Sequence, residues 1–331
     1  LLDQAEKRKN FLHKRGVRVT QLLVKDQVCS GVQILHGSTL KWIRSRAVVL
    51  ATGGGGHLFA NTTNPSQACG EGIALAWHAG AVIEDLEFIQ FHPTALKLDG
   101  APCFLLSEAL RGEGAVLIDS DGNSPVSHLE GLDLAPRDQV SKALVHSMKN
   151  QNVNSFGLDL RKISTGKLES RFPHILKNCR ELGIDPIKEP IPIAPAAHYW
   201  MGGVATNMNA STNIKGLFAV GEVASTGLHG ANRLASNSLM ECIVFARKMA
   251  EINLDQSKLR SIAPKYHTNH SANLKLHGNW TSNSLMVAIQ KLRNLCWIEA
   301  GVNRSGKGMQ YALDNISKEI DEILNQPLLQ F

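Results

Sequence analysis

The chain contains 331 residues, the length of two or three ordinary domains. Hydrophobic residues make up 43% and charged residues 19%, which excludes a disordered or collagen-like chain. The net charge of +6 is concentrated in residues 1–50, which hold ten Lys or Arg but three Asp or Glu, and aromatic residues are only 5%. Because no basic stripe runs through the rest of the chain, we expect no nucleic-acid surface.

The sequence carries no membrane or metal signal. No apolar run approaches the roughly 18 residues that a membrane-spanning helix needs. The six cysteines show neither a C-x-x-C pair nor a Cys/His ligand spacing, which predicts reduced thiols, no metal site and a cytoplasmic location. The first residue is leucine, which indicates a fragment or a processed chain, so organelle targeting stays open.

Strand and helix patterns alternate in the first part of the chain. They predict strands at 21–24, 31–35, 47–51 and 82–91 and a helix at 70–80. The buried strand at 47–51 leads into four glycines, Gly53 to Gly56. Such a run lets the backbone approach a ligand closely, although a simple tight turn explains it equally well.

The second part is richer in helix. The patterns predict helices around 104–111, 137–149, 168–182 and 238–252, a strand at 216–222, a polar linker at 253–283 and a helix pair over 285–324. This order predicts an α/β fold in which a Rossmann-like nucleotide-binding domain is interrupted by an inserted domain and followed by a helical unit.

Polar side chains with binding chemistry cluster at predicted turns and element ends. The clusters contain His92, Ser107 with Glu108 and Arg111, Arg137 with Asp138, His198, and Arg233. Each has a structural explanation when taken alone, such as a hydrogen-bonded core histidine or a charge pair at a helix start. If the two histidines and Arg137 and Arg233 converge, they form an anion site in which Arg233 grips a carboxylate.

Two further features predict contacts to a cofactor. Glu222 follows a buried strand and a glycine, where a carboxylate can accept hydrogen bonds from ribose or ribityl hydroxyls. A helix is predicted to start at Asn237-Ser238-Leu239, and the positive end of its dipole would stabilise the negative charge of a reduced flavin. The alternative is that Ser236 or Ser238 only caps this helix.

Seven motifs in consistent order resemble the succinate dehydrogenase/fumarate reductase flavoprotein family. They are A-T-G-G (51–54), Q-F-H-P-T-A (90–95), E-A-L-R-G-E-G (108–114), A-P-R-D (135–138), P-A-A-H-Y (195–199), M-G-G (201–203) and H-G-A-N-R-L-A-S-N-S-L (229–239). Within the family they are most similar to the L-aspartate oxidases, because Ala95, Ala196, Ala197, Ala235 and Cys242 are the forms found there. The resemblance extends from about residue 10 to residue 324.

The resemblance implies a fold and an activity. The fold would be an FAD-binding domain split by an α+β capping domain, with segments 1–89 and 198–255 in the first, 90–197 in the second and 256–331 in a shortened C-terminal helical domain. The activity would be oxidation of L-aspartate to iminosuccinate with non-covalent FAD, and oxygen or fumarate as acceptor. Iminosuccinate would then pass to quinolinate synthase, at the start of NAD biosynthesis.

The resemblance also implies roles for individual residues. Arg137 would move the substrate proton, with Glu108 and Arg111 as a relay behind it. The dicarboxylate (L-aspartate, fumarate or succinate) would be bound by His92, Ser107, His198 and Arg233. FAD would be contacted by Thr52, Gly53, Gly54, Glu71, Glu222, Ser238 and Leu239.

The sequence departs from the family in ways that leave alternatives open. It has no G-x-G-x-x-G motif for the FAD pyrophosphate, and Glu71 stands where Asp is commoner. If this is the whole polypeptide, we expect weak or absent FAD retention. The alternative functions are a flavoprotein subunit of succinate dehydrogenase or fumarate reductase, and a truncated, inactive chain that acts only as an interaction module.

Overall fold

The computed structural model describes residues 1–252, 254, 270–271 and 282–324. The strands in that part are β1 (Val17–Lys25), β2 (Val28–His36), β3 (Thr39–Arg44), β4 (Val48–Leu50), β5 (Ile83–Glu84), β6 (Ile89–Leu96), β7 (Val116–Ile118), β8 (Phe156–Asp159), β9 (Ile191–Trp200), β10 (Gly203–Ala205), β11 (Leu217–Ala219), β12 (Ala224–Ser225) and β13 (His270–Ser271). The helices are α1 (Leu2–Glu6), α2 (Glu71–His78), α3 (Ala109–Gly112), α4 (Arg137–Gln151), α5 (Thr165–Arg171), α6 (Pro173–Glu181), α7 (Asn237–Ala250), α8 (Ser282–Glu299) and α9 (Gly306–Leu324). Among these described helices, none is long and apolar enough to cross a bilayer.

One group of sheets is built around short parallel pairs. β4 pairs with β11 and β10 pairs with β12, both in parallel, while β1, β2, β3 and β13 form an antiparallel sheet. A two-residue turn at Asp26 and Gln27, both at positive φ, joins β1 to β2, as a tight hairpin requires. Apolar residues from β1, β2, β11 and α2 share one buried core, so these elements form a single unit.

A second unit is an antiparallel sheet, in the order β6-β9-β8-β7, that is covered by helices. Fully buried Leu117, Leu144 and Leu158 represent its core, to which β7, α4 and β8 each contribute. The helices α8 and α9 join the molecule through Trp297, whose ring lies 5.9 Å from that of Phe91. The mixed α/β class and the predicted C-terminal helix pair are therefore confirmed, whereas most of the predicted linker at 253–283 lies outside the described residues.

Three element predictions are corrected by the structure. Residues 104–106 are not helical, because the N–H of Leu106 donates to the Thr94 carbonyl at 3.0 Å and extends the β6 pairing. Segment 168–182 is two helices rather than one, since Pro173 lacks an N–H and begins α6. The strand predicted at 82–91 is two strands, β5 and β6, separated by residues 85–88, and β6 continues through His92-Pro93-Thr94, where a register shift accommodates the proline.

The glycine run after β4 is required by close packing within the chain itself. A Cβ at Gly54 would lie 2.5 Å from Glu222 Oε1, and one at Gly55 would lie 2.5 Å from the Trp200 ring. Gly56 is packed in the same way on the Asn64 amide. The run therefore has a structural reason, and it also brings bare backbone next to Glu222.

Replacing Gly55 by alanine is expected to reduce the free energy of unfolding by about 1–3 kcal/mol, because the rigid Trp200 ring must move aside. Urea unfolding measures the change. Gly166→Ala is the matched control, since a Cβ there meets nothing within 4 Å and alanine favours the helix α5. Equal stabilities of the two variants would contradict the packing role of Gly55.

Candidate active site

Two histidines are brought together where β6 and β9 pair. The register passes from Gln90↔Tyr199 directly to Phe91↔Ala197, which leaves His198 as the extra residue of a β-bulge. Bulges redirect a side chain out of the regular alternation, and they are frequent next to active sites. The His92 and His198 rings consequently lie edge to face, with centroids 5.2 Å apart.

His92 is neutral, and its proton has a definite position. Its Nδ1 accepts a hydrogen bond from the Thr94 N–H at 3.2 Å, so the proton resides on Nε2. Burial, and then the charges of Arg137, His198 and Arg111, lower the pKa of His92 well below its usual value. Nε2 is fully buried and has no hydrogen-bond partner among the described residues. A buried donor of this kind is normally satisfied by an acceptor, which a bound ligand or an ordered water supplies.

Gln90 holds Arg137 and Arg233 side by side. Its Oε1 accepts hydrogen bonds from Arg137 Nη1 at 2.9 Å and from Arg233 Nη2 at 3.1 Å. Its Nε2 donates to Asn232 Oδ1, and Asn232 in turn donates to Asp138. The amide thus fixes two guanidinium groups that would otherwise repel each other.

Glu108 links Arg137 to Arg111. Arg137 donates from Nε and Nη2 to Glu108 Oε2 at 2.9 and 2.7 Å, and Arg111 Nη2 donates to Oε1 at 3.3 Å. Arg111 is almost completely buried, and burial lowers its pKa below the usual range. Ser107 is beside them, but its Oγ accepts the N–H of Ala109 at 3.3 Å and so begins α3.

The ring of the buried Tyr199 packs against the Arg233 guanidinium. The Arg233 guanidinium lies 4.6 Å from the centroid of the Tyr199 ring, a cation–π geometry. Burial and the nearby Glu241 raise the pKa of Tyr199 above its usual value, so its hydroxyl remains protonated and donates to Glu241 at 3.2 Å. Glu241 also accepts from Thr226 at 2.6 Å and is hydrogen-bonded to His229 at 2.9 Å.

The hydrogen-bonded cluster carries an excess of positive charge. Arg111, Arg137 and Arg233 are joined directly through Glu108 and Gln90, three guanidinium groups to one carboxylate, and the carboxylate of Asp138 is linked to them only through Asn232. Burial is the main cause that lowers the pKa of Arg233, and the charge of Arg137 adds to it. Such a site attracts an anion, and a dianion would neutralise it.

His198 predicts a pH-dependent stability. Burial and the charges of Arg233 and Arg137 lower its pKa from 6.5 to about 4. Because the unfolded chain binds a proton near pH 6.5 and the folded chain does not, stability falls as the pH drops between these values. The loss attributable to His198 is about 2 kcal/mol between roughly pH 7.5 and pH 5.

The measurement is urea unfolding of the wild type and His198→Gln at both pH values. The variant is expected to lose less stability on acidification than the wild type. His128→Gln, at an exposed histidine, is the control for replacing a histidine as such. Parallel pH profiles for the wild type and His198→Gln would contradict the lowered pKa of His198.

Some of the residues predicted to contact FAD lie together on one surface, and others do not. Glu222 Oε1 accepts the Trp200 N–H at 2.9 Å and lies against Gly54, whose missing Cβ would collide with it. Burial raises the pKa of Glu222. Gly53 has φ +73°, and nothing lies within 4 Å of its Cβ position, so its backbone is open to a ligand. Gly53, Gly54 and Glu222 therefore lie together and combine exposed backbone with a carboxylate, groups that can hydrogen-bond to hydroxyls.

The start of α7 is a second part of this surface. Ser236, at φ +66°, makes no side-chain cap, and the Leu239 N–H donates to the Ser236 carbonyl at 3.2 Å. Ser238 Oγ accepts from Arg233 Nη1 at 3.3 Å, which connects the helix start to the cationic cluster. The Leu239 side chain is 69% exposed, so an apolar ligand surface can cover it.

Glu71 and Thr52 are placed differently from the other predicted FAD contacts. Glu71 is exposed at the start of α2, where it forms an ion pair with Arg18 at 2.5 Å. Thr52 is exposed and packs over Gly72, where any Cβ would overlap its hydroxyl. Neither side chain hydrogen-bonds to the cationic cluster within the described part of the chain.

The structure therefore assembles His92, Glu108, Arg111, Arg137, His198 and Arg233 in one place. Sequence reasoning did not single out Gln90, Thr63 and Tyr199, which contact these residues. A usable signal existed for Gln90, because it lies two residues before His92 on β6 and alternation favours the same face. No pattern indicates Thr63, which is 135 positions from its partner His198.

Known proteins share this framework. The model of the family described as FAD binding domain matches residues 1–239. L-aspartate oxidase from Nostoc sp. is 43% identical, with the alignment covering 100% of this chain and 58% of the relative. L-aspartate oxidase from Synechocystis sp. is 45% identical over 88% of this chain and 53% of the relative. The chain spans little more than half the length of these curated relatives.

Solved structures agree on the fold. The quinol fumarate reductase FrdA of E. coli superposes with a TM-score of 0.75 at 32% identity, over 91% of this chain and 56% of that one. Sdh1 of Mycobacterium smegmatis has a TM-score of 0.73 at 28% identity, over 91% and 53%. The family match over residues 1–239 and the fold shared with these structures agree. The chain belongs to the FAD binding domain family.

Proposed function

We propose that this chain contributes the catalytic site of an FAD-dependent L-aspartate oxidase, which converts L-aspartate to iminosuccinate. The observation that carries the proposal is the charge of the cluster: three guanidinium groups, one carboxylate and two neutral histidines. The two carboxylates of a four-carbon diacid are suitable partners for these cationic and neutral donors. The names of the relatives at 43% and 45% identity give the choice of aspartate as the substrate.

The binding residues act by donating hydrogen bonds and charge to the two carboxylates. His92 Nε2–H is a buried donor without a partner among the described residues, and we assign it to one carboxylate. Arg233, which Gln90 and Tyr199 hold in place, grips the other one. Holding both ends fixes the reacting carbon, and such positioning supplies much of a rate enhancement.

Arg137 is the residue we assign to the substrate proton. In aspartate oxidation the substrate gives up a proton, and Arg137 can accept it once it has passed its own Nη2 proton to Glu108 Oε2, which lies 2.7 Å from Nη2. Arg111 is hydrogen-bonded to the other oxygen of Glu108 and continues the relay. A guanidinium normally keeps its proton, so this role requires a dry site with such a partner.

FAD would be held by Gly53, Gly54 and Glu222 and by the start of α7, and it supplies the chemistry of hydride acceptance. Oxygen or fumarate is the proposed final acceptor. We further propose that iminosuccinate is used by a quinolinate synthase and that the enzyme is cytoplasmic. All six cysteines are free thiols, as is usual in a reducing compartment.

The test is to purify the protein, titrate it with FAD and assay it with L-aspartate. The proposal expects a yellow, acid-extractable cofactor and peroxide formation that depends on aspartate, or fumarate reduction in its place. Transfer of electrons from succinate to a dye, without peroxide from aspartate, would instead support a fumarate reductase or succinate dehydrogenase subunit, which the 32% identity to FrdA makes the second candidate. A protein that remains colourless with FAD would reject both.

A further inference from the structure

The Thr63 side chain contacts the edge of the His198 ring at Nδ1. Thr63 precedes α2 in the chain and its Oγ1 lies 2.9 Å from His198 Nδ1. The imidazole is neutral near pH 7, because burial and two arginine charges lower its pKa to about 4. A neutral ring has one N–H, and the group bonded to Nδ1 decides which nitrogen carries it.

The surroundings of Thr63 decide the direction of this hydrogen bond. Among the described residues, the one other acceptor within hydrogen-bond distance of the hydroxyl is the Ala197 carbonyl, at 3.4 Å. That oxygen already accepts the Thr63 N–H at 3.0 Å, the Thr62 hydroxyl at 3.1 Å and the Asn64 amide at 3.4 Å. A carbonyl oxygen has two lone pairs, and the two nearest donors, the Thr63 N–H and the Thr62 hydroxyl, occupy them, while the Asn64 amide has a nearer acceptor in the His198 carbonyl at 3.0 Å. The Thr63 proton is therefore directed to His198 Nδ1.

We propose that Thr63 is a positioning residue that holds His198 in the tautomer with its proton on Nε2. His92 reaches the same state by another route, since its Nδ1 accepts the Thr94 N–H. Both rings then present one Nε2–H donor each and no positive charge. The consequence for dicarboxylate binding rests on the proposed function, whereas the tautomer itself does not.

The direct test is the ¹⁵N chemical shift of the histidine ring nitrogens at about pH 7. The protein is labelled at histidine, and the His198 signals are assigned as those lost in His198→Gln. The wild type is expected to show a protonated Nε2 and an unprotonated Nδ1. A wild-type His198 that carries its proton on Nδ1, or that is charged at this pH, would overturn the proposal without any Thr63 variant.

Three variants separate positioning from general structural effects. Thr63→Val removes the hydroxyl at nearly constant volume and is expected to give a mixture of both tautomers. Thr63→Ser keeps the hydroxyl and is expected to restore the wild-type signals. Thr206→Val is the matched control, because that half-buried threonine donates only to a carbonyl, that of Ser225. Identical His198 shifts in the wild type and Thr63→Val would overturn the proposal.

Fumarate binding, measured by titration calorimetry, gives the functional readout. Thr63→Val is expected to weaken it by about three- to tenfold, the range for losing one well-aligned donor, and Thr63→Ser to leave it near the wild-type value. The two proposals fail separately. A wild type that shows the Nε2–H tautomer but binds no dicarboxylate rejects the proposed function alone, whereas a wrong tautomer rejects the role of Thr63 even when fumarate binds.

Discussion

Replacing Arg137 by lysine is expected to lower kcat for L-aspartate oxidation by about 10²–10⁴-fold, the range for removing a positioned acid or base. The three hydrogen bonds of Arg137 explain the size of the effect. Nε and Nη2 both contact Glu108 Oε2, and Nη1 contacts Gln90. A lysine keeps the charge but has one nitrogen, so it cannot connect Glu108, Gln90 and the substrate at the same time.

Steady-state kinetics and fumarate titration together distinguish proton transfer from binding. For Arg137→Lys, we expect a large loss in kcat and a change in fumarate affinity below about tenfold, since the positive charge is conserved. Arg161→Lys is the matched control: Arg161 also forms a two-point contact with a carboxylate, that of Asp159, but in the exposed turn that follows β8. A kcat for Arg137→Lys within tenfold of the Arg161→Lys value would exclude Arg137 as the proton-transfer residue.

The separation between kcat and affinity follows from how the cluster is built. Gln90 and Glu108 hold the three guanidinium groups as one unit, so all three set the overall charge, whereas the proposed proton transfer involves Arg137 alone. A substitution that preserves charge at Arg137 therefore leaves the attraction for a dianion largely intact. By the same reasoning the site requires Gln90, because its Oε1 accepts a hydrogen bond from both Arg137 and Arg233 and so holds two cations side by side.

Local sequence patterns were sufficient to predict those strands and helices whose formation has a local physical cause. Buried strands, the helix α4 that begins at Arg137 and the amphipathic pair α8 and α9 follow from periodicity and turn residues. The patterns failed at residues 104–106, because their pairing with β6 is a tertiary interaction that overrides a helical pattern. They also failed at Pro173, where one missing N–H divides a helix that periodicity alone would continue.

From the sequence alone, only those site residues whose side chains carry charge or acid–base chemistry could be predicted. Arginine, histidine and glutamate attract attention by their charge, and motif order placed them in one family. The side chains of Thr63, Gln90 and Tyr199 do not stand out in this way. Their roles depend on a β-bulge and on contacts between residues more than a hundred positions apart in the sequence. The direction of the Thr63 hydrogen bond is a further step, since it depends on counting the donors to one carbonyl.

Substitution of Arg233 is the change with the largest expected effect on binding. Arg233→Ala is expected to weaken fumarate binding by about 10²–10³-fold, because a buried charge-assisted pair with a carboxylate is typically worth several kcal/mol when one partner is removed. Arg233→Lys should recover little of this loss. The ammonium group cannot stack on Tyr199 as a planar guanidinium does, and it cannot contact Gln90 and a carboxylate in the same fork geometry.

The measurement is fumarate titration of both variants, with urea unfolding to confirm that they are folded. Arg180→Lys is the control, because Arg180 of α6 pairs with Asp185 and is partly exposed, so its charge is solvated. Arg233→Ala also removes one of three cations from a crowded cluster, so its stability should fall less than that of a typical buried truncation. A fumarate affinity for Arg233→Lys equal to that of Arg180→Lys would mean that charge alone suffices, and the assignment of Arg233 as the carboxylate-gripping residue would have to be abandoned.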